Sequence, residues 1–154
     1  MTSRDDQPQD LLSLAELAAT RALTTDELEA LNNANYGLDR NLGLRYTTIE
    51  PGRVVSELHV ASKHLQVVGL VNGGVYAAIA ESTGSVASMI SAPGKMVVGI
   101  NNNTDFISAV SSGVIVAEAT PIQLGGRTHL WQIECTHRGE IVARTTLRTM
   151  VLNK

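Results

Sequence analysis

With 154 residues the chain can bury one sizeable core but is too short for two ordinary domains, so a single domain is expected. A formal net charge of -3 excludes the broad basic field of a general nucleic-acid or anionic-membrane binder, so any phosphate must be met by a local cluster. The lone Cys135 excludes an intrachain disulfide and a thiolate metal site and fits a reducing cytoplasm, while 3% aromatics leave the core to Val, Ile, Leu, Ala and Met.

Residues 1–8 are polar, end in Pro8 and read as a flexible tail without the apolar core of a secretion signal, and no apolar run reaches membrane-spanning length. A soluble, cytoplasmic protein with one domain over 9–154 is expected. Leu11, Leu14, Ala15, Ala18 and Ala22 recur at helical spacing, which predicts a helix over 10–23 with Asp10 as N-cap. Thr24 followed by Asp26 and Glu27 starts a second helix that should end near Asn32, completing a helical lead-in over about 10–35. The period then changes to two. Residues 42–50 and 53–61 read as strands joined at Pro51-Gly52, and in the second of them Val54, Ser56, Leu58 and Val60 share one face. A loop over 62–71 precedes a long helix that opens at Asn72-Gly73 and runs to about Ile90. Four further strands follow over 96–107, 114–124, 128–136 and 140–153, separated by glycine-containing turns. One helix of this length can cover such a sheet only if the sheet curves around it. Gly74, Ala77, Ala78, Ala80, Gly84, Ser85, Ala87 and Ser88 would permit that close approach, although alanine also simply favours helix.

The helix that opens at Gly73-Gly74 is apolar except for one carboxylate, Glu81. An ionised carboxyl is costly to bury, so Glu81 marks either a solvated face or chemistry. A partner arginine such as Arg144 or Arg148 would be the ordinary alternative. Ser85 lies four residues on and shares its face.

The segment Gln66-x-x-Gly69-x-x-Asn72-Gly73-Gly74, with Glu81 and Ser85 at fixed distance, resembles the acyl-CoA thioesterases of the hotdog fold. The PaaI-like and Arthrobacter-type 4-hydroxybenzoyl-CoA thioesterase branch is the most similar. Val98-Gly99-x-x-x-Asn103-x-Asp105-Phe106 and Pro121-Ile-Gln-Leu-Gly-Gly-Arg127, running on to Trp131 and Glu134, resemble the same branch. The resemblance implies an α+β hotdog fold, a curved antiparallel six-stranded sheet wrapped around one long central helix, with the N-terminal helices added. It also implies a homodimer paired edge to edge, assembled as a dimer of dimers into a homotetramer, with the site at the subunit interface.

By the same resemblance the activity is hydrolysis of an aromatic or medium-chain acyl-CoA to free acid and CoA. Glu81 would be nucleophile or general base, helped by Ser85, while Gln66 and the Gly73 N–H polarise the thioester carbonyl. The family usually carries His where this chain has Asn72, and Asn can donate a hydrogen bond but cannot shuttle a proton. A weakly active or non-catalytic acyl-CoA-binding protein is therefore the alternative function. A hotdog dehydratase is disfavoured because the long helix contains no His.

The turn Gly125-Gly126-Arg127 matches the family's CoA loop, though by itself it reads as an ordinary hairpin turn. Asn101, Asn103 and Asp105 share one side of a strand; they either line the pocket or subunit seam, with Asn103 as a substrate contact, or belong to a bulged, solvated strand. The four histidines lack metal-ligand spacing, Trp131 reads as packing, and no metal or cofactor is expected beyond the CoA of the substrate.

Overall fold

The computed structural model describes residues 8–152 of the chain, so the tail expected over 1–8 lies outside the described residues except for Pro8. Pro8 instead opens the first helix, α1 (Pro8–Ala18), where its fixed φ suits the first helical position and its missing N–H costs nothing. Asp10 thus falls within the helix and not at the position before its first residue. The helix also ends earlier than the apolar spacing suggested. Ala19, Thr20 and Arg21 close it in a turn, and Leu23 leaves to donate its N–H to Ile49 O at 2.9 Å.

Helix α2 (Thr25–Ala34) starts at a capping box in which Thr24 Oγ1 accepts from Glu27 N and Glu27 Oε2 accepts from Thr24 N. A short helix that the sequence reading missed, α3 (Gly37–Leu42), follows and ends at Gly43 in the left-handed region, φ 81°. The first strand therefore begins at Leu44 and not at Leu42.

The strands are β1 (Leu44–Glu50), β2 (Arg53–His59), β3 (Met96–Phe106), β4 (Val114–Leu124), β5 (Thr128–His137) and β6 (Glu140–Leu152). The long helix α4 (Gly73–Ile90) lies between β2 and β3 in the chain. All pairings are antiparallel, in the order β1-β2-β4-β5-β6-β3. The hotdog architecture is the observed one.

Helix α4 packs on every strand from β2 to β3 across the sheet. Those five strands span about 19 Å at the usual interstrand spacing, against a helix about 10 Å wide, so the sheet must curl around it. The curl depends on small residues. A Cβ on Gly84 would stand 2.5 Å from Leu147 Cδ2 and 3.1 Å from Ile133 Cδ1, and Ala80 and Ala87 are fully buried.

Polar groups caught beneath the helix are paired. Thr83 Oγ1 donates to Ile79 O at 2.7 Å, so it must accept from Ser56 Oγ, also at 2.7 Å. Farther along, Ser88 Oγ contacts His129 Nδ1 at 2.7 Å and Thr149 Oγ1 at 2.5 Å, all in the core. Burial lowers the pKa of His129.

The unfolded imidazole, with its ordinary pKa near 6.5, then binds a proton before the folded one does. Stability from this group is complete above that value and is lost as pH falls below it. Chemical denaturation between about pH 7.5 and pH 5.5 should show a falling midpoint, and His129→Asn should flatten that fall. An equal slope in the variant would assign the pH dependence elsewhere.

Candidate active site

The loop before α4 is built to hold the helix N-terminus rigidly. Gly69, at φ 81°, donates to Gln66 O at 2.9 Å, and Gln66 N donates to Leu70 O at 2.8 Å, which closes a tight turn. Val71 N bonds Val110 O and Asn72 N bonds His64 O, tying the loop to its neighbours. His64 is itself buried, its Nδ1 accepting from Ala61 N at 2.8 Å and its Nε2 donating to Leu42 O at 2.7 Å. Both ring nitrogens are thus occupied in support of the loop.

This arrangement brings Gln66 and Gly73 to one cleft of about 250 Å³, walled by Tyr76 and Phe106. Gly73 is the first residue of α4, and its N–H has no acceptor among the described residues. An unpaired N–H at the positive end of a helix is suited to a developing oxyanion. No side chain fits at this position without movement. A Cβ on Gly73 would lie 2.7 Å from the Phe106 ring, which itself is 60% exposed.

Asn72 is the N-cap of α4: its Oδ1 accepts from Gly74 N at 2.8 Å. That bond fixes the amide so that Nδ2 is the group left to donate to a ligand. The residue that departs from the family pattern therefore has a structural duty of its own.

Glu81 stands two turns into α4, and its half-buried carboxylate is lodged against β3. Asn102 Nδ2 donates to Glu81 Oε2 at 2.9 Å and to Ala77 O at 3.0 Å. Asn102 is held in turn, because Thr104 Oγ1 donates to Asn102 Oδ1 at 2.8 Å and so accepts from Thr145 Oγ1 at 2.7 Å. A Cβ on Gly99 would fall 2.1 Å from Glu81 Oε1, so only glycine leaves room for the carboxylate there. Among the described residues Glu81 makes no ion pair, and Arg144 is engaged by Glu134 at 2.7 Å. Ser85 lies one turn beyond Glu81, partly buried, with no hydrogen bond to it.

Asn102 and Gly99 are the contacts that sequence reasoning did not assign. Strand β3 bulges between Gly99 and Asn101, and beyond the bulge alternation puts Asn102 and Thr104 toward α4 while Asn101, Asn103 and Asp105 are exposed on the other side. Gly99 within a strand was the available signal of a close approach.

The Gly125-Gly126-Arg127 turn joins β4 to β5, with Gly125 N donating to Thr128 O and Arg127 O accepting from Val151 N, both at 2.9 Å. Arg127 is exposed. His129 pairs with Thr149 and Thr149 with Gly99, so this end of β5 lies about 10 Å across the sheet from Gly99. Trp131 is fully buried. Burial pushes the Cys135 thiol up to about 12, which removes it as a nucleophile. Among the described residues there is no cluster of His, Cys, Asp and Glu fit to hold a metal, and no helix is long and apolar enough to cross a membrane.

Known proteins carry the same organisation. The pattern of the thioesterase superfamily matches residues 68–143. Rv1847 of Mycobacterium tuberculosis is 39% identical over 121 residues, covering 75% of this chain and 86% of the relative, and its structure superposes with a TM-score of 0.72. The proofreading thioesterase EntH of Klebsiella pneumoniae is 36% identical over 119 residues, covering 76% and 85%. A thioesterase structure from Haemophilus influenzae, at 31% identity, covers 82% of this chain and 90% of its own with a TM-score of 0.75. The chain belongs to the thioesterase superfamily and is a thioester hydrolase.

Asn72→Asp separates the two duties of that residue. The carboxylate keeps the cap and suits the helix dipole, but it removes the Nδ2 donor and sets a negative charge beside the Gly73 N–H. Thermal stability should be retained while thioester turnover falls at least about tenfold. Unchanged turnover would show that Asn72 serves only as a cap.

Proposed function

We propose that the protein hydrolyses an aromatic or medium-chain acyl-CoA, with each site assembled from two copies of the chain. The observation that carries this reading is the anchored carboxylate of Glu81, which Asn102 orients and which makes no ion pair among the described residues. The 1,4-dihydroxy-2-naphthoyl-CoA hydrolase of Escherichia coli, 30% identical over 134 residues, supports an aromatic acyl-CoA as the substrate class.

Glu81 lies eight positions after Gly73 on the helix, about 12 Å along the axis, and does not line the Gln66–Gly73 cleft. One thioester carbonyl cannot meet both groups of the same chain closely. A second chain resolves this. Strand β3 is a sheet edge of 11 residues with Met96, Val98, Ile100 and Phe106 exposed, the kind of open edge that soluble proteins pair or protect. Edge-to-edge pairing would bring the Glu81 that lies under β3 of one copy toward the Gly73 cleft of the other, and a dimer of such dimers would give the tetramer.

In the reaction, the Gly73 N–H and the Gln66 amide polarise the thioester carbonyl, and the Asn72 Nδ2 donates alongside them. Glu81 of the facing copy either takes a proton from the attacking water or attacks the carbonyl itself, forming an anhydride that water then opens. The C–S bond breaks, the CoA sulfur receives the proton, and the free acid departs. Ser85 would position the water or the carboxylate. Backbone N–H groups of the Gly125-Gly126 turn and the Arg127 guanidinium would receive CoA phosphates, and Asn103 on the outer side of the edge strand would contact the same substrate. Backbone N–H groups, side chains and water supply every group in this scheme, which calls on no further cofactor.

Thiol release from a panel of aromatic and medium-chain acyl-CoAs tests the reading. Benzoyl-type and medium-chain substrates should turn over, and Glu81→Gln should lower the rate at least about a hundredfold with fold and assembly intact. Tight CoA binding without release from any acyl group would overturn hydrolysis of acyl-CoA. Near-normal activity of Glu81→Gln would remove Glu81 from the chemistry.

A further inference from the structure

Strand β3 has one regular stretch along its open edge. Its pairing with β6 shifts between Gly99 and Asn101, which makes Ile100 the extra residue of a bulge, and the strand ends at Phe106. Residues 101–105 alternate without interruption between those limits, with Asn103 at their midpoint. Ile107 N donates to Val142 O at 2.9 Å, so by alternation Asp105, Asn103 and Asn101 turn their backbone groups to β6. Asn102 and Thr104 hold theirs out at the open edge.

Two charges stand beside this stretch on the outer face of the sheet. Asp105 and Arg148 are exposed, and among the described residues neither makes an ion pair. Arg148 faces Asn101 from β6, whereas Asp105 lies four positions farther along β3. That is about 13 Å of strand, too far for the two to meet within one chain.

We propose that two copies of the chain pair along β3 in the one register that sets Asn103 on the two-fold axis, with Arg148 of each copy ion-paired to Asp105 of the other. This rests on the reading that two copies share each site, and adds the alignment of their edges. Contacts about a two-fold axis are reciprocal, so Asn103 faces Asn103, Asn102 faces Thr104 and Asn101 faces Asp105. The outward backbone groups of Asn102 and Thr104 then bond each other. Asp105 comes into line with Asn101 and Arg148 of the other copy, about 10 Å from the arginine Cα, a gap that an extended guanidinium and a carboxylate close. Gly99, which follows Asn101 in the register because Ile100 is extra, faces Phe106. Glu81 packs on Gly99 and Phe106 packs on Gly73, so the same register sets Glu81 of one copy across the seam from Gly73 of the other. A shift of one residue would oppose inward and outward side chains. A shift of two would set Asp105 against Val98 or Asn103, out of line with Arg148.

Cross-linking and charge exchange test the register without reference to activity. Asn103→Cys should form a disulfide between copies under mild oxidation, because residues facing in this way have Cα atoms about 4.5 Å apart, and the native Cys135 is buried. Asp105→Cys, about 13 Å from its mate, should not. Arg148→Glu and Asp105→Arg each set two like-charge pairs across the seam. Each variant should therefore dissociate to monomers at concentrations about tenfold above native, measured by sedimentation velocity at low salt. An equimolar mixture of the two restores both pairs, and its mixed dimers should be as tight as native. A native dimer whose Asn103→Cys variant does not cross-link, or a mixture no tighter than its parents, would overturn the register and leave the shared site standing. A monomeric native protein would overturn the shared site as well.

Discussion

A carboxylate pressed against a strand that has no side chain to oppose it is the contact on which the rest of the site depends. Glu81 can sit beneath β3 because position 99 is glycine and because Asn102 reaches back from the same strand to Oε2. The hydrogen bond from a neutral amide orients the carboxylate, and the absence of an ion pair among the described residues leaves its charge available for chemistry. Asn102 is itself immobilised through Thr104 and Thr145, so its geometry comes from the sheet and not from a flexible loop.

The wider fold serves the same contact. For β3 to reach Glu81 while β2 still touches α4, the sheet must curl around the helix. Gly84, Ala80 and Ala87 allow that bend by thinning the helix where the central strands cross it, and the Ser56–Thr83 pair lets a hydroxyl be buried there without an unpaired proton. At its other end the helix is fixed by the Asn72 cap and by a loop that uses both nitrogens of His64, so the unpaired Gly73 N–H is rigidly presented.

Much of this was legible in the sequence because it rests on local rules. The change from helical to alternating period, Gly-containing turns and the Asn-Gly-Gly start of α4 are properties of short segments, and the strands and long helix fell within a few residues of expectation. Helix α3 was hidden because it has only six residues and ends at a glycine that resembles a turn signal. The start of α1 was misplaced because Pro8 looked like the end of a tail, whereas proline is at home in a first helical turn. Gln66 and Gly73 could be foreseen to converge, since one short loop carries both. The anchoring of Glu81 by Asn102 could not, because it requires strand register across a bulge and a contact between elements far apart in the chain.

The central claim is that Gly73 of one copy and Glu81 of another act on one thioester. Subunit mixing tests it most directly, using Glu81→Gln and Gly73→Pro as the two parents. Proline at position 73 deletes the N–H while suiting the first turn of a helix, Asn72 already has the extended ψ of 137° that a following proline requires, and the exposed Phe106 can yield to the ring. Each variant alone should be inactive. After joint unfolding and refolding, half of the dimers should be mixed, each with one intact site, giving roughly a quarter of native acyl-CoA hydrolysis. A mixture that remains as inactive as its parents, with mixed dimers shown to be present, would contradict a shared site.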